Sequence, residues 1–281
     1  MSLLASLLFP KKQVNLEKLK QYLTNKTILI TGASFGIGEA LAYLLGQTNA
    51  HLILVARTKE KLSYIKKHIQ HSGNHVSCIA INLADPMQVD DLLRHLQSLP
   101  NKIDIFVNNA GKSIRRSFID SLDRHHDVER SMALNYFAPI KLTQGLFKHL
   151  QQTNGHIVHV SAVNVLLAPP PYWSAYQSSK TAFDQWLRCN IPELYAHNIA
   201  TSIVYFPLVK TRMIEPTQMY QHVPAMNVDQ AAIVLAQCLL KRPRTFKPWW
   251  LPFIQAFNPL TPLWEKIWCF SLKKKNQKKG K

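Results

Sequence analysis

"KTILITGASFGIGEALAYLLG", residues 26 to 46, decides the fold. Its first part, "KTILIT" (26 to 31), is a short apolar run that reads as a buried strand, and "GASFGIGEALAYLLG" then turns into a helix. Across the junction lies "TGASFGIG" (31 to 38). Its glycines, Gly32, Gly36 and Gly38, let the backbone turn tightly and approach a pyrophosphate at the helix N-terminus. Ser34 and Ile37 lie in the same turn and join the expected phosphate-side residues. A glycine-rich loop says little alone. Strand, turn and helix in that order are the context this chemistry needs.

Outward from this stretch the pattern repeats. "HLILVA" (51 to 56), "VSCIAI" (76 to 81), "IDIFVN" (103 to 108), "GHIVHVS" (155 to 161) and "ATSIVYF" (200 to 206) are short apolar runs. Each is followed by, or lies near, a helical stretch, the first of them the charged amphipathic "TKEKLSYIKKHIQ" (58 to 70). Further helices are expected at 118 to 150, 174 to 196 and 228 to 241. Regular alternation predicts an α/β fold: one doubly wound parallel sheet of about seven strands, covered by helices on both faces. Neither a repeat of fixed period nor a glycine- or serine-rich linker appears before about residue 243. The expected organisation is an N-terminal extension (1 to 24), one dinucleotide-binding catalytic domain (25 to 245) and an aromatic, lysine-rich extension (246 to 281).

With 281 residues, 47% of them hydrophobic, the chain can bury a sizeable core. Cys78, Cys189, Cys238 and Cys269 form no CxxC pair, which argues against a metal site or a disulfide framework and for a reducing, cytoplasmic compartment. In "MSLLASLLFPKK" the lysines follow the apolar run, the reverse of a secretory signal, and no apolar run of about 18 residues offers a spanning helix. The formal charge is +18, and the tail "KKKNQKKGK" (273 to 281) holds six lysines, leaving +12 for the rest. Such a surplus implies an anionic partner: nucleic acid, a phospholipid surface or phosphorylated ligands. A solvated tail without a partner is the alternative. Nucleic acid has the weakest case, because the tail lacks an aromatic stacking face or a recognition helix.

After the second strand comes "VARTKE" (55 to 60), where an NAD-preferring site commonly has an acid for the ribose 2′-hydroxyl. Here Arg57 and Thr58 follow Ala56. A guanidinium suits a 2′-phosphate through charge-assisted hydrogen bonds, which favours NADPH over NADH. A solvent-facing arginine beside Glu60 is the other reading.

"YWSAYQSSKTAFDQW" (172 to 186) places Tyr176 and Lys180 four positions apart, on one helix face. A cation there can lower a phenol's pKa from about 10. Alone, such a pair arises by chance. With "TGASFGIG", "NNAG" (108 to 111), Asn135, Ser161, Tyr176 and Lys180 in this order, the chain from about 25 to 245 resembles the short-chain dehydrogenase/reductase family. The resemblance implies that Tyr176 is the general acid in carbonyl reduction and that Lys180 lowers its pKa and holds the nicotinamide ribose. Ser161 would hydrogen-bond the carbonyl, and Asn135 would support a water-linked proton relay. Asn109, Ala110, Gly111, Leu83, Pro207, Val209 and Thr211 would complete the cofactor site. Each also has a local reading: Ser161 as a turn cap, Asn135 as a helix-backbone partner, "NNAG" as a strand-ending turn. Two positions depart from the family. Asn82 in "INLAD" replaces an aspartate facing the adenine, its amide oxygen still able to accept from the amino group, and "YFPLVKT" lacks the usual Pro-Gly pair.

"NNAGKSIRR", "DRHHDVERSMALNYF" and "FPLVKTRMIEPTQMYQHVP" more narrowly resemble bacterial fatty acyl-CoA reductases of this fold, which make fatty aldehydes with NADPH. Residues 212 to 226 would then cover the substrate, with Val163, Met213, Ile214, Met219, Tyr220 and Val223 along an acyl channel. Plain lid packing is the alternative. Arg115 and Arg116 would meet a CoA phosphate, or else pair with Asp127 or Glu129. A 3-oxoacyl, sphingoid or steroid ketone reductase, and a non-catalytic NADPH-binding sensor or scaffold, remain open. Homo-oligomers, dimers or tetramers, are common in the family. "PWWLPFIQAFNPLTPLWEKIWCF" (248 to 270) gathers four of the six tryptophans before the lysine tail. Tryptophan favours the membrane interface and lysine favours anionic lipid, so peripheral membrane association is expected, with a dimer contact or a lid as alternatives.

Overall fold

The structure, a computed structural model, describes residues 3–70, 75–215 and 217–279. Pro216, the side chains of Gln221 and His222, and much of the lysine tail (Gly280, Lys281 and the side chains of Lys275, Lys278 and Lys279) lie outside the described residues.

Seven strands form one parallel sheet: β1 (Thr27–Thr31), β2 (His51–Ala56), β3 (Val76–Ala80), β4 (Ile105–Asn108), β5 (His156–Ala162), β6 (Ala200–Phe206) and β7 (Thr245–Phe246), in the order β3-β2-β1-β4-β5-β6-β7. The helices are α1 (Leu3–Leu8), α2 (Leu16–Leu23), α3 (Gly36–Leu45), α4 (Lys59–Gln70), α5 (Pro86–Gln97), α6 (His126–Met132), α7 (Ala138–Gly145), α8 (Phe147–Gln152), α9 (Ser174–Ala196), α10 (Val228–Lys241), α11 (Leu251–Gln255) and α12 (Thr261–Lys279). Strand order reverses between β1 and β4, and a crevice opens beyond the carboxyl ends of strands at such a point.

The strands are continuously apolar because both faces are covered. Ile28 and Ile30 join a core with Leu41 of α3 and Leu235 of α10, while Leu29 between them joins the opposite core with Leu92 of α5 and Phe183 of α9. Helix α10 has the expected limits, with Asn227 Oδ1 accepting the Asp229 N–H at its start and Arg242 in the left-handed region at its end.

Three stretches differ from the sequence reading. The expected helix at 118 to 150 is broken into α6, a π-helical turn (Ala133–Phe137), α7 and α8. Pro139 has no N–H for the carbonyl of Asn135 and its ring crowds that carbonyl, so the helix widens there. The N-terminal segment is packed rather than appended: Phe9 of that segment and Leu19 and Leu23 of α2 are buried in the first core. β7 straddles the expected boundary at 245, and Leu251 beyond it is fully buried.

Candidate active site

Thr31 ends β1 and anchors the glycine turn. Its hydroxyl accepts the backbone N–H groups of Asn109 (3.1 Å) and Ala110 (3.2 Å), and the Asn109 amide donates to the carbonyls of Thr31 (3.0 Å) and Gly32 (3.1 Å). The turn after β1 is thereby clamped to the end of β4. Gly32 has φ +66°, and a Cβ there would lie 2.8 Å from the Ala110 backbone. A Cβ on Gly38 would strike the Gly32 carbonyl, so the first turn of α3 packs directly on the strand end. The exposed side of the turn is a cradle of backbone.

A cleft of about 480 Å³ runs from this cradle across the strand ends. Gly32, Ser34, Gly36, Ile37, Arg57 and Leu83 line one part of it, Asn109, Ala110 and Gly111 its floor, and Pro207, Val209 and Thr211 its far wall. Arg57 is exposed and, among the described residues, forms no ion pair with Glu60, which leaves its guanidinium free at the rim. Thr58 and Asn82 do not line the cleft. Thr58 takes the Leu62 N–H on its carbonyl at the start of α4. The Asn82 side-chain oxygen, expected to face the adenine, accepts the Ala84 N–H (3.2 Å) and closes a local turn. Ile81 and Leu83 flank it in the cleft instead.

At the other end, α9 presents Tyr176 and Lys180 into the cleft, as their spacing predicts. Lys180 Nζ donates to the Val160 carbonyl at 2.9 Å. It lies close to Gly111, where a Cβ would be 3.8 Å from Nζ and 3.4 Å from Asn135 Oδ1. Asn135, in the widened turn before α7, receives the Lys112 N–H (2.9 Å) on Oδ1 and donates Nδ2 to the Lys112 carbonyl and the Ser179 hydroxyl, both at 2.9 Å. Its side chain thus staples the loop after β4 to α9, while its main-chain carbonyl is the one Pro139 cannot bond.

Burial pushes Tyr176 up to about 12, with the Tyr220 phenol adding to the rise, and burial lowers Lys180 to about 8 despite the nearby Asp184. The expected lowering of Tyr176 by Lys180 is therefore not met in the chain by itself. Desolvation sets the direction, and the Lys180 ammonium directs a proton at the Val160 carbonyl. The phenol stays protonated at neutral pH, the state a proton donor requires.

Ser161 lines the cleft as expected, but its hydroxyl is engaged elsewhere. Strand alternation turns its side chain toward α9, where the buried hydroxyl donates to Asp184 Oδ1 at 3.1 Å. The Tyr205 hydroxyl donates to Asp184 Oδ2 at 3.2 Å. This hydroxyl therefore serves a buried carboxylate whose pKa burial raises. The next strand residue, which lines the cleft, is Ala162.

The covering segment is pinned at its base, where Met226 N–H donates to the Leu208 carbonyl (2.8 Å) and Lys210 N–H to the Met226 carbonyl (2.9 Å). Val163, Met213, Ile214, Tyr220 and Val223 line the cleft as expected. Met219 lines a second, adjoining cleft of about 390 Å³ with Ser113, Arg115 and Trp173. Arg116 pairs with Asp127 (2.6 Å), whereas Arg115 stacks its guanidinium over Tyr172. Trp173, which the sequence reading passed over, stacks on Tyr220 (5.8 Å) and meets Tyr176 edge to face (6.2 Å). Arg212, likewise passed over, lies over the Phe35 ring at the cleft. A neighbouring tryptophan and arginine in the quoted motifs were the available signals.

Among known proteins, the family model described as short chain dehydrogenase matches residues 26–221. A fatty acyl-CoA reductase of Acinetobacter baylyi is 39% identical over 80% of this chain and 76% of its own length. Another fatty acyl-CoA reductase, of Mycobacterium tuberculosis, is 37% identical over 86% of this chain and 83% of its own. The solved short-chain dehydrogenase of Sphingobium yanoikuyae in complex with NADPH superposes with a TM-score of 0.72 at 26% identity, covering 78% of this chain and 86% of that one.

Proposed function

Because the chain belongs to the short chain dehydrogenase family, we propose that it is an NADPH-dependent reductase of a lipid-like carbonyl, with fatty acyl-CoA as substrate and fatty aldehyde as product. The observation that carries this reading is a single cleft that joins the glycine cradle to Tyr176 and then to a methionine- and valine-lined cover. The residues fit NADPH: the cradle has no room for a Cβ at Gly32 or Gly38, and Arg57, exposed at the rim and without an ion pair among the described residues, suits a 2′-phosphate. Bound there, the cofactor supplies the hydride. Lys180 and Asn109 to Gly111 form the floor beside its sugar, and Thr211 stands at the far wall.

Tyr176 gives its proton to the substrate oxygen as negative charge develops on it, and Lys180 sets the electrostatics of that transfer. The hemithioacetal so formed then breaks its C–S bond, its hydroxyl proton returning to Tyr176. CoA leaves as a thiolate that takes a proton from water, which frees the aldehyde. With Ser161 turned to Asp184, the second hydrogen bond to the substrate oxygen comes from the Tyr220 hydroxyl, carried by the cover and oriented by its stacking on Trp173. Asn135 holds the site together, and its main-chain carbonyl, which Pro139 cannot bond, would support a water-linked relay. The acyl chain lies along Val163, Met213 and Ile214, and the CoA phosphates meet Arg115 in the adjoining cleft.

The reading extends to a cytoplasmic protein peripheral on an anionic membrane, which the exposed Trp264 and Trp268 beside Lys273 and Lys274 support; among the described residues no helix is long and apolar enough to cross one. It also includes a homo-oligomer covering the exposed Phe118, Ile119, Leu122 and Phe137. NADPH consumption against acyl-CoAs, fatty aldehydes, 3-oxoacyl thioesters and steroid ketones tests the substrate. Turnover is expected with long-chain acyl-CoA. Turnover confined to 3-oxoacyl thioesters or steroid ketones would move the protein to a sister activity, and none at all would leave a sensor.

A further inference from the structure

The end of the chain has a surface that catalysis does not use. On α12, Leu263, Trp264, Ile267, Trp268 and Phe270 are 45% to 72% exposed. Every residue from Pro262 to Ser271 is exposed, and the spacing of Leu263, Ile267 and Phe270 beside Trp264 and Trp268 gathers these apolar side chains on one broad face of the helix, opposite Glu265 and Lys266. Such a helix is marginal in water and needs an apolar phase to cover it.

The surface continues beyond α12. Trp249 and Phe253 are more than half exposed and meet edge to face at 6.2 Å. The Trp249 Nε1 donates to the Leu7 carbonyl at 3.2 Å, and Leu7, on α1, is exposed as well. Leu7 near the start of the chain and Trp249 near its end thus meet at the surface, two residues before α11. Leu251, fully buried, roots α11 in the body, and Asn258 Nδ2 donates to the Leu166 carbonyl at 3.0 Å. Leu166 ends the short helix Val163–Leu166, whose Val163 and Asn164 line the catalytic cleft. The face therefore adjoins the substrate end of the cleft.

We propose that this face, built by α1, α11 and α12, docks on an anionic phospholipid bilayer and passes the hydrophobic substrate from the lipid into the cleft. The delivery step rests on the lipid-substrate reading; the docking does not. A second copy of the chain, covering the same apolar face, is the occupant that flotation separates from lipid, and the surplus of lysine around that face opposes self-association while it favours an anionic surface. Tryptophan suits the bilayer interface. Residues 246 to 281 carry eight lysines against a single acid, Glu265, and the exposed Lys273 and Lys274 directly follow the apolar turns.

The test is flotation of the full chain with vesicles of phosphatidylcholine, with and without phosphatidylglycerol, at low and high salt. Recovery with the anionic vesicles, weakened by salt, is expected. Trp264→Ala combined with Trp268→Ala should cut that recovery at least tenfold. The same variant should leave NADPH oxidation with a short-chain, water-soluble substrate unchanged and slow it for a long-chain substrate supplied in vesicles. Equal recovery on neutral and anionic vesicles, or none on either, overturns the docking. So does a dimer in sedimentation that the substitutions abolish without any flotation. If the variant reduces vesicle-borne substrate as fast as the parent, delivery falls. Flotation without reduction of any lipid carbonyl leaves the docking standing and removes the substrate reading instead.

Discussion

The two ends of the cleft are built by different means. At the cofactor end, backbone does most of the work: Gly32, Gly38 and the Thr31–Asn109 clamp fix the cradle to fractions of an ångström, and a single Cβ would spoil it. At the substrate end, side chains do the work, on a long cover that backbone hydrogen bonds pin at its base and that Tyr220 ties down by stacking on Trp173. The first arrangement suits one invariant ligand. The second suits a floppy chain of variable length, because side-chain packing adapts where a backbone turn cannot. The comparison teaches that the chemistry sits where the two meet, at Tyr176.

Removing that meeting point has the largest effect. Tyr176→Phe is expected to lower kcat by about 10²- to 10⁴-fold while NADPH affinity, read by fluorescence, changes little. If turnover stays near normal, Tyr176 is not the proton donor. Next comes the carbonyl's second partner. Tyr220→Phe is expected to lower kcat by about 10- to 100-fold, in line with losing one preorganised donor in a mobile cover. Ser161→Ala should leave kcat within a few-fold and instead reduce the denaturant midpoint, since it strips a hydrogen bond from buried Asp184. The reverse pattern would return the carbonyl to Ser161.

The cofactor end is sharpened by Arg57→Ala. Loss of charge-assisted hydrogen bonds should raise the NADPH KM about tenfold or more and leave the NADH KM nearly unchanged. An unchanged ratio would mean that another cation, with Arg212 the first to test, reads the 2′-phosphate. The smallest effect is a pH limb. Lys180 is lowered to about 8, so its charge is lost as pH rises through that value, and kcat/KM should fall there. Lys180→Arg, which keeps its charge, should move or erase the limb. The same group links to stability with the opposite sign. Between about 8 and its ordinary 10.5 the unfolded chain holds the proton and the folded chain does not, so this contribution to stability rises with pH.

Much of this was legible in the chain before any coordinates. Six of the strands, the glycine turn, α9 and α10 follow from runs and periods that each segment carries within itself. The Tyr176–Lys180 pair needed only helical spacing. Helices do occupy much of the stretch from 118 to 150, but where they divide was not legible, because the effect of Pro139 on Asn135 is a local steric event that an averaged pattern conceals. The segment 1 to 24 reads from the sequence as an extension before the domain, yet Leu19 and Leu23 are fully buried in its core, a contact with distant segments that no local pattern states.

By itself the sequence determined the parallel sheet, the cofactor cradle and the helix face that holds the proton donor, since all three depend on neighbours along the chain. Only the tertiary structure decided that Ser161 serves Asp184, that Asn82 closes its own turn, that burial rather than Lys180 governs the Tyr176 phenol, and that Leu7 and Trp249 meet at the surface. Those outcomes depend on which groups from distant segments meet away from water, where an unpartnered hydroxyl or carboxylate is costly and its nearest partner prevails.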